Sequence, residues 1–531
     1  MKRREFIQRL ALAGIGSGLM LHGCRPHPKP PIRSFPSNAS IGHLLRNKPP
    51  LPSSYDEQET DVLIIGSGMA GLSCAYHLEK QAYAGNITLL EMQPYAGGNS
   101  FGGENLVSGF PWAAHYVPIP GLHLNELIAF FEELKIITHW QDQLPVYNEE
   151  YICFEQHERL FIHGVWQQGL IPDHGIPSSD KQVIKRFMKI VHQLRFEKDA
   201  QGNYLFDIPL HRSSKLTEHL TLTSIKAEDW LKEQGFHSEY LHWYLDYCCA
   251  DDFGGGLKNT SAWALLHYFA SRKGKAFNAE HDDNLTWPEG NYFLVKKFCE
   301  RIKSPILLYE IALHIVPSKI GYDVYHLNTE TKRFTKTSCM QLVLNTPMHV
   351  TRKLIPELDT EEHRNLFQSF PWIVANITLR KPKEKQGAEL SWDNVQYGLK
   401  SLGYIHSSHQ LLGSSSNKVV FTCYKSFYET SATEERRKLE TKSEEQLANE
   451  LIDELRIIYP NIQEQIETII VRKIGHGMIT PIPGLLFSDT LQKLQQARGK
   501  LHLCHTDICG ISIFEEAFYR GLETAKTIHH G

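Results

Sequence analysis

Asp61-Val62-Leu63-Ile64-Ile65-Gly66-Ser67-Gly68-Met69-Ala70-Gly71 begins as a continuous apolar run of strand length and passes without a break into three glycines spaced Gly-x-Gly-x-x-Gly. Leu72, Ala75, Tyr76 and Leu78 then recur at helical spacing, so the stretch predicts a buried strand, a tight turn and a helix. Each glycine has its own task. The first permits the turn, the second lets backbone approach a pyrophosphate, and the third lets the helix pack on the strand. The phosphates then meet the positive end of the helix. A second apolar run, Ile87-Thr88-Leu89-Leu90, ends at Glu91, 20 residues beyond Gly71, where a carboxylate can accept hydrogen bonds from a ribose. Strand, loop, helix and acid together predict a dinucleotide site on an α/β fold.

The residues that follow narrow the nucleotide. Glu91-Met92-Gln93-Pro94-Tyr95-Ala96-Gly97-Gly98-Asn99-Ser100 resembles the second glycine motif of the flavin amine oxidase and phytoene desaturase superfamily, where a Gly-Gly-Arg segment wraps the FAD pyrophosphate. Asn99 stands at the place of that Arg, which removes one charge-assisted contact. A second match lies near the other end of the chain, where Leu501-His502-Leu503-Cys504-His505-Thr506-Asp507 reads as a buried strand ending in an acid, followed by Ser512-Ile513-Phe514-Glu515-Glu516-Ala517 at the start of a helix.

The resemblance implies FAD as cofactor, held by Gly66, Gly68, Met69, Ala70, Gly71, Glu91, Met92, Gly98 and Asn99. It also implies Asp507 near the ribityl and phosphate groups, Ile513 and Phe514 at the flavin ring, and the backbone of Ile311, in the strand Ile306 to Ile315, at the adenine. The expected fold is a Rossmann-like FAD-binding α/β domain with a discontinuous α+β substrate domain, as in amine oxidases. Residues 56–122, 285–350 and 469–531 would build the FAD domain, and 123–284 and 351–468 the substrate domain. Within the first, Val324 to Leu327 and Met340 to Leu344 would continue the sheet, ending at Asn345-Thr346-Pro347 where relatives have Ala-x-Pro.

Flavin oxidation needs a hydride donor held against the ring, with catalysis coming mainly from positioning and charge stabilisation. Phe110-Pro111-Trp112-Ala113-Ala114-His115-Tyr116 resembles a segment that the superfamily places beside the flavin, and Gly475-His476-Gly477 falls where some monoamine oxidases attach FAD through Cys. His115 and His476 are therefore the expected catalytic residues, one of them handling a proton. Two departures separate the chain from the amine oxidase template. The strand Ile373 to Leu379 lacks the lysine that holds a water there, and Ile513 replaces an aromatic wall of the amine cage. Asp251 and Asp252, just before Gly254-Gly255-Gly256, either attract a cationic substrate such as a polyamine, or cap a helix or anchor the glycine turn.

Bulk properties fit an ordinary enzyme. The 531 residues suffice for two lobes, and a net charge of −4 without a basic patch argues against a nucleic-acid partner. Ten cysteines without a Cys-x-x-Cys pair predict no metal site. Arg3 and Arg4 before Glu5-Phe6-Ile7, then an apolar run to Leu21-His22-Gly23-Cys24, resemble a twin-arginine export signal ending in a lipobox. Export places the protein in the bacterial periplasm, with a membrane contacted only through that signal or a lipid on Cys24. The proline-rich stretch 25–55 reads as an extended linker. Three functions stay open: hydride transfer from a small substrate, an amine among the candidates, with oxygen or a quinone as acceptor; desaturation or isomerisation of a lipid; and flavin binding without turnover.

Overall fold

The run Asp56–Ile65 is a parallel strand at the centre of a seven-stranded sheet, flanked by Ile87–Leu90 on one side and Phe334–Leu344 on the other. The computed structural model describes residues 30–36, 39–411 and 416–530. Ile306–Leu307 extends the sheet beyond Ile87–Leu90, and Leu501–Leu503 pairs in parallel with Phe334–Leu344. Tyr322–Asn328 and Glu310–Pro317 continue as antiparallel strands. Buried parallel strands must be apolar on both faces, and Val62, Leu63, Ile64, Leu89, Leu342, Val343 and Leu344 are fully buried accordingly.

Register brings the site together. Ile65 pairs with Leu90 and with Leu344, and Leu344 with Leu503, so the four parallel strands end level. Gly66, Glu91, Asn345 and Cys504 therefore emerge along one edge, the edge where open α/β sheets bind ligands. Helix Met69–Lys80 packs on this sheet beside helix Phe514–His530. The two approach so closely at Gly521 that an added Cβ would stand 2.5 Å from the Ala70 carbonyl oxygen.

The second sheet has eight strands and is assembled from distant parts of the chain. Trp372–Arg380 lies between Lys418–Ser426 and Ile466–Ile474, both antiparallel to it, and the far side carries Glu158–Ile162 and Val165–Gln168. Helices Ser178–Phe196, Glu239–Phe253 and Ala262–Ala270 pack beside it. Glu239–Phe253 is capped by the Ser238 hydroxyl, which accepts from the Leu241 N–H, and ends at Gly254 in the left-handed conformation (φ 72°), so the glycine run stops the helix as a C-cap.

Two expected boundaries move. Residues 469–474, expected in the FAD domain, continue strand Ile466–Ile474 of the second sheet, where they pair with Trp372–Arg380. Of the stretch 25–55 expected as an extended linker, residues 31–36 and 39–49 are docked on the body. Ile32–Ser34 forms a parallel edge strand on Ile469–Val471, and Ala39–Gly42 with His43–Leu45 folds as two short helical turns. Three residues are too few to show a periodicity, but the open edge of Ile466–Ile474 supplies the missing hydrogen-bond partners. Arg3, Arg4 and Cys24 lie outside the described residues. No helix among the described residues is long and apolar enough to cross a membrane, and the nine described cysteines are free thiols, all but Cys299 buried.

Candidate active site

A continuous cavity of about 480 Å³ runs along the level strand ends and into the space between the two sheets. Gly66, Gly68, Met69, Ala70, Glu91, Met92, Gly98, Asn99, Ile311, Asp507, Ile513 and Phe514 all line it, as do His115 and His476. Gly71 does not line the cavity. It sits behind the loop, where a Cβ would stand 2.4 Å from both Asn345 Nδ2 and the Gly66 carbonyl oxygen.

The loop is held by side chains from other strands. Asn345 Nδ2 donates to the carbonyls of Gly66 (2.9 Å) and Gly68 (3.2 Å). Glu91 Oε2 accepts from the Ser67 N–H (3.0 Å) and hydroxyl (2.8 Å), and Oε1 from the Gln93 N–H (2.9 Å). Burial pushes the Glu91 carboxyl above its ordinary value, while these hydrogen bonds oppose the shift. Gly68 is extended (ψ 174°) and offers no side-chain cap to helix Met69–Lys80. The first-turn N–H groups thus keep their donors for a ligand. A capless helix N-terminus, a positive-φ Gly66 (100°) and a bare Gly68 beside the cavity fit the pyrophosphate of a dinucleotide.

Asn99, where the motif has Arg, donates from Nδ2 to the Gly477 carbonyl (2.6 Å) and so ties the glycine pair to the His476 segment. A cation reaches the same cavity from elsewhere: Arg472, on strand Ile466–Ile474, lines it beside Tyr95 and donates to the Trp112 carbonyl (3.1 Å). Asp507 Oδ2 accepts from the Met348 N–H (2.7 Å), and Oδ1 lies 3.2 Å from His505 Nδ1. Burial works to raise the Asp507 pKa, but His505 and these hydrogen bonds hold it below the ordinary carboxylate value.

Both expected histidines are poor bases. His115 Nδ1 donates to the Ala113 carbonyl (3.0 Å), its ring lies against Tyr424 (4.9 Å) and Trp392 (5.5 Å), and burial lowers its pKa to about 4. His476 stacks on His349, centroids 3.7 Å apart at 10°, and burial with the charges of His349 and Arg436 lowers it to about 2. A pKa this far below neutrality leaves each ring in its accepting, neutral form but makes it a weaker base than a free imidazole.

The groups that titrate near neutrality are carboxyls. Asp252 is paired with Arg272 Nη2 (3.0 Å) and accepts from the Tyr116 hydroxyl (3.1 Å). Asp251 and Glu515 line the same cavity with no hydrogen bond from another residue, and burial pushes both up to about 7; the negative Asp252 adds to each shift while Arg272 opposes it. The lysine-free strand carries Asn376 instead, bound to the Pro111 carbonyl (3.1 Å) and the Thr422 hydroxyl (2.6 Å), so it serves the packing of the sheet. Arg272, Glu515, Arg472 and Asn345 escaped the sequence reading as site residues. Local signals existed for Asn345, in the departure from Ala-x-Pro, and for Glu515, within the helix start Ser512 to Ala517.

Residues 61–178 match the family model of FAD dependent oxidoreductases. Over these residues the chain is similar to FAD-dependent oxidoreductases. This flavoprotein is 25% identical over 281 residues to an L-amino acid dehydrogenase from Synechocystis sp., an alignment that spans 52% of this chain and only 55% of that protein. Its fold is similar to that of putrescine oxidase solved with putrescine (TM-score 0.63, 14% identity, 90% of this chain and 100% of that one). Cyclohexylamine oxidase from Brevibacterium oxydans is similar to the same extent (TM-score 0.62, 13% identity, 89% and 99%). These likenesses show the two-domain fold, and the FAD-dependent oxidoreductase match over residues 61–178 makes FAD the dinucleotide that fits the level strand ends.

Proposed function

We propose that this flavoprotein oxidises the carbon next to nitrogen in a small cationic amine or amino acid, passing electrons on to oxygen or a membrane quinone. The observation that carries the reading is the pair of carboxyls, Asp251 and Glu515, that line the cavity with no hydrogen bond from another residue while Arg272 is already taken by Asp252. An ammonium group would neutralise the excess charge, whereas a lipid would strand buried carboxylates in an apolar contact. The names of the L-amino acid dehydrogenase and the two amine oxidases agree with a nitrogen-bearing substrate.

When bound, FAD supplies the two-electron acceptor for hydride. The chain supplies the rest. An Asp251 or Glu515 carboxylate takes the proton from the substrate ammonium and frees the nitrogen lone pair, which a pKa of about 7 suits. His115, its Nδ1 proton committed to Ala113, presents Nε2 as an acceptor that orients the substrate.

Anaerobic mixing with diamines, amino acids and isoprenoid lipids tests this: bleaching of the flavin by a cationic amine is expected, and bleaching by the lipids alone would overturn it. With the amine found, kcat/KM should rise with pH through about 7 as the carboxyls ionise. Asp251→Asn should lower it roughly 100-fold, within the range for loss of a general base.

Export is part of the same reading. Changing Arg3 and Arg4 both to Lys should leave a yellow, FAD-loaded protein in the cytoplasm, and its appearance in the periplasm at the wild-type level would sink the twin-arginine assignment.

A further inference from the structure

Residues 31–36 and 39–49 lie before the dinucleotide-binding sheet in the chain, yet they touch both halves of the molecule. On one side Ile32–Ser34 lies in parallel register on Ile469–Val471, with the Ile469 N–H donating to Pro31 (3.1 Å) and the Phe35 N–H to Val471 (2.8 Å). The Phe35 ring then packs 4.6 Å from Trp112 and 6.3 Å from both Tyr95 and Phe101, with the Arg472 guanidinium 5.2 Å from its centroid. Tyr95 and Arg472 are cavity walls. On the other side Leu45 is buried in the apolar cluster of Ile65, Leu90 and Ile311, and the Pro49 carbonyl accepts from His314 Nε2 (2.8 Å). Gly42 and Leu45 themselves line the cavity, and a Cβ on Gly42 would stand 3.7 Å from Met92 Sδ.

We infer that this segment is the closing wall of the FAD site, docking once the cofactor has entered and setting the rate at which it leaves. The dinucleotide-binding fold supplies the loop, the acid and the helix terminus, but part of the wall beside Ile311 and Met92 comes from Gly42 and Leu45. The anchors are small: a three-residue strand, a four-residue helix and one short turn. Such elements open locally at less cost than the whole fold. A ligand that contacts the wall only when it is docked must stabilise the docked state by that differential contact.

Two measurements test the inference on the full-length chain. In the double variant Phe35→Ala, Leu45→Ala, FAD release on dilution, followed by the rise of free-flavin fluorescence, is expected to be at least tenfold faster than in the wild type. Release at the wild-type rate would overturn the proposal. The second measurement needs no variant. Trypsin can cut at the exposed Arg33 and Arg46, and saturating FAD should slow cleavage at both sites at least tenfold relative to the apoprotein. Equal rates with and without FAD would overturn the proposal even if the double variant failed to fold.

Discussion

Gly68→Val is expected to give a folded but colourless protein. Gly68 is extended and faces the cavity, with only Asn345 Nδ2 near an added Cβ, at 3.3 Å. The backbone can therefore accept a side chain there. The branched group would instead fill the space in which phosphate oxygens must approach the helix N–H groups, so flavin affinity should fall more than 100-fold, or about 2.8 kcal/mol. Gly71→Val is the contrasting case. Its Cβ would collide with Asn345 and with the Gly66 carbonyl at 2.4 Å, so it should lower the apoprotein melting temperature as well. Flavin absorbance after gel filtration, alongside apoprotein melting curves, separates the two outcomes; a yellow Gly68→Val protein would remove the loop from the cofactor site.

Arg272→Met should be the most destabilising single change in the cavity. The guanidinium pairs with Asp252, donates to Tyr116 (3.0 Å) and lies over Tyr268 (4.5 Å). Removing it leaves Asp252 buried beside Asp251 and Glu515 with the Tyr116 hydroxyl but no cation to face it, a loss of about 3–5 kcal/mol by analogy with broken buried pairs. The deficit depends on pH with a definite sign. Burial already raises the Asp252 pKa, and without Arg272 it must rise further. A carboxyl whose folded pKa exceeds its unfolded value weakens the fold progressively as pH rises between the two. The variant should therefore lie closest to wild type near pH 4 and farthest from it above neutrality. A deficit that does not change with pH would assign the effect to packing alone.

Much of the fold was legible because its requirements are local. A turn that needs positive φ at Gly66 and a helix start that needs bare backbone at Gly68 must be written with those residues at that spacing, and Glu91 must follow the next strand. Gly66, Gly68 and Glu91 were found this way, whereas Met69, Ala70, Met92, Gly98 and Asn99, which also line the cavity, followed from the resemblance to flavin amine oxidases. What escaped acts across long separations. Asn345 grips a loop 279 residues away, and Arg272 meets Asp252 only because two helices joined by a glycine turn fold back on each other. The histidines could be placed beside the cavity from motif resemblance, but their basicity could not, since it depends on burial and on a stacking partner, His349, that lies 127 residues away. Residues 32–45 were read as linker because short edge elements carry no pattern of their own.

The parallel register that levels the strand ends also constrains how a ribosome can make this protein. Asp56–Ile65 gains its neighbour Phe334–Leu344 only after some 270 further residues, and that neighbour gains Leu501–Leu503 only after some 160 more. Pairings of such sequence separation form slowly, because loop-closure entropy is lost before the contacts repay it. The emerging N-terminal half must therefore wait with Val62, Ile64 and their apolar neighbours unpaired on one edge, a state open to misassociation. A polypeptide of this design should depend on chaperone shielding during translation, and a chain released before residue 501 should be a substrate for proteolysis and not a half-formed flavoprotein.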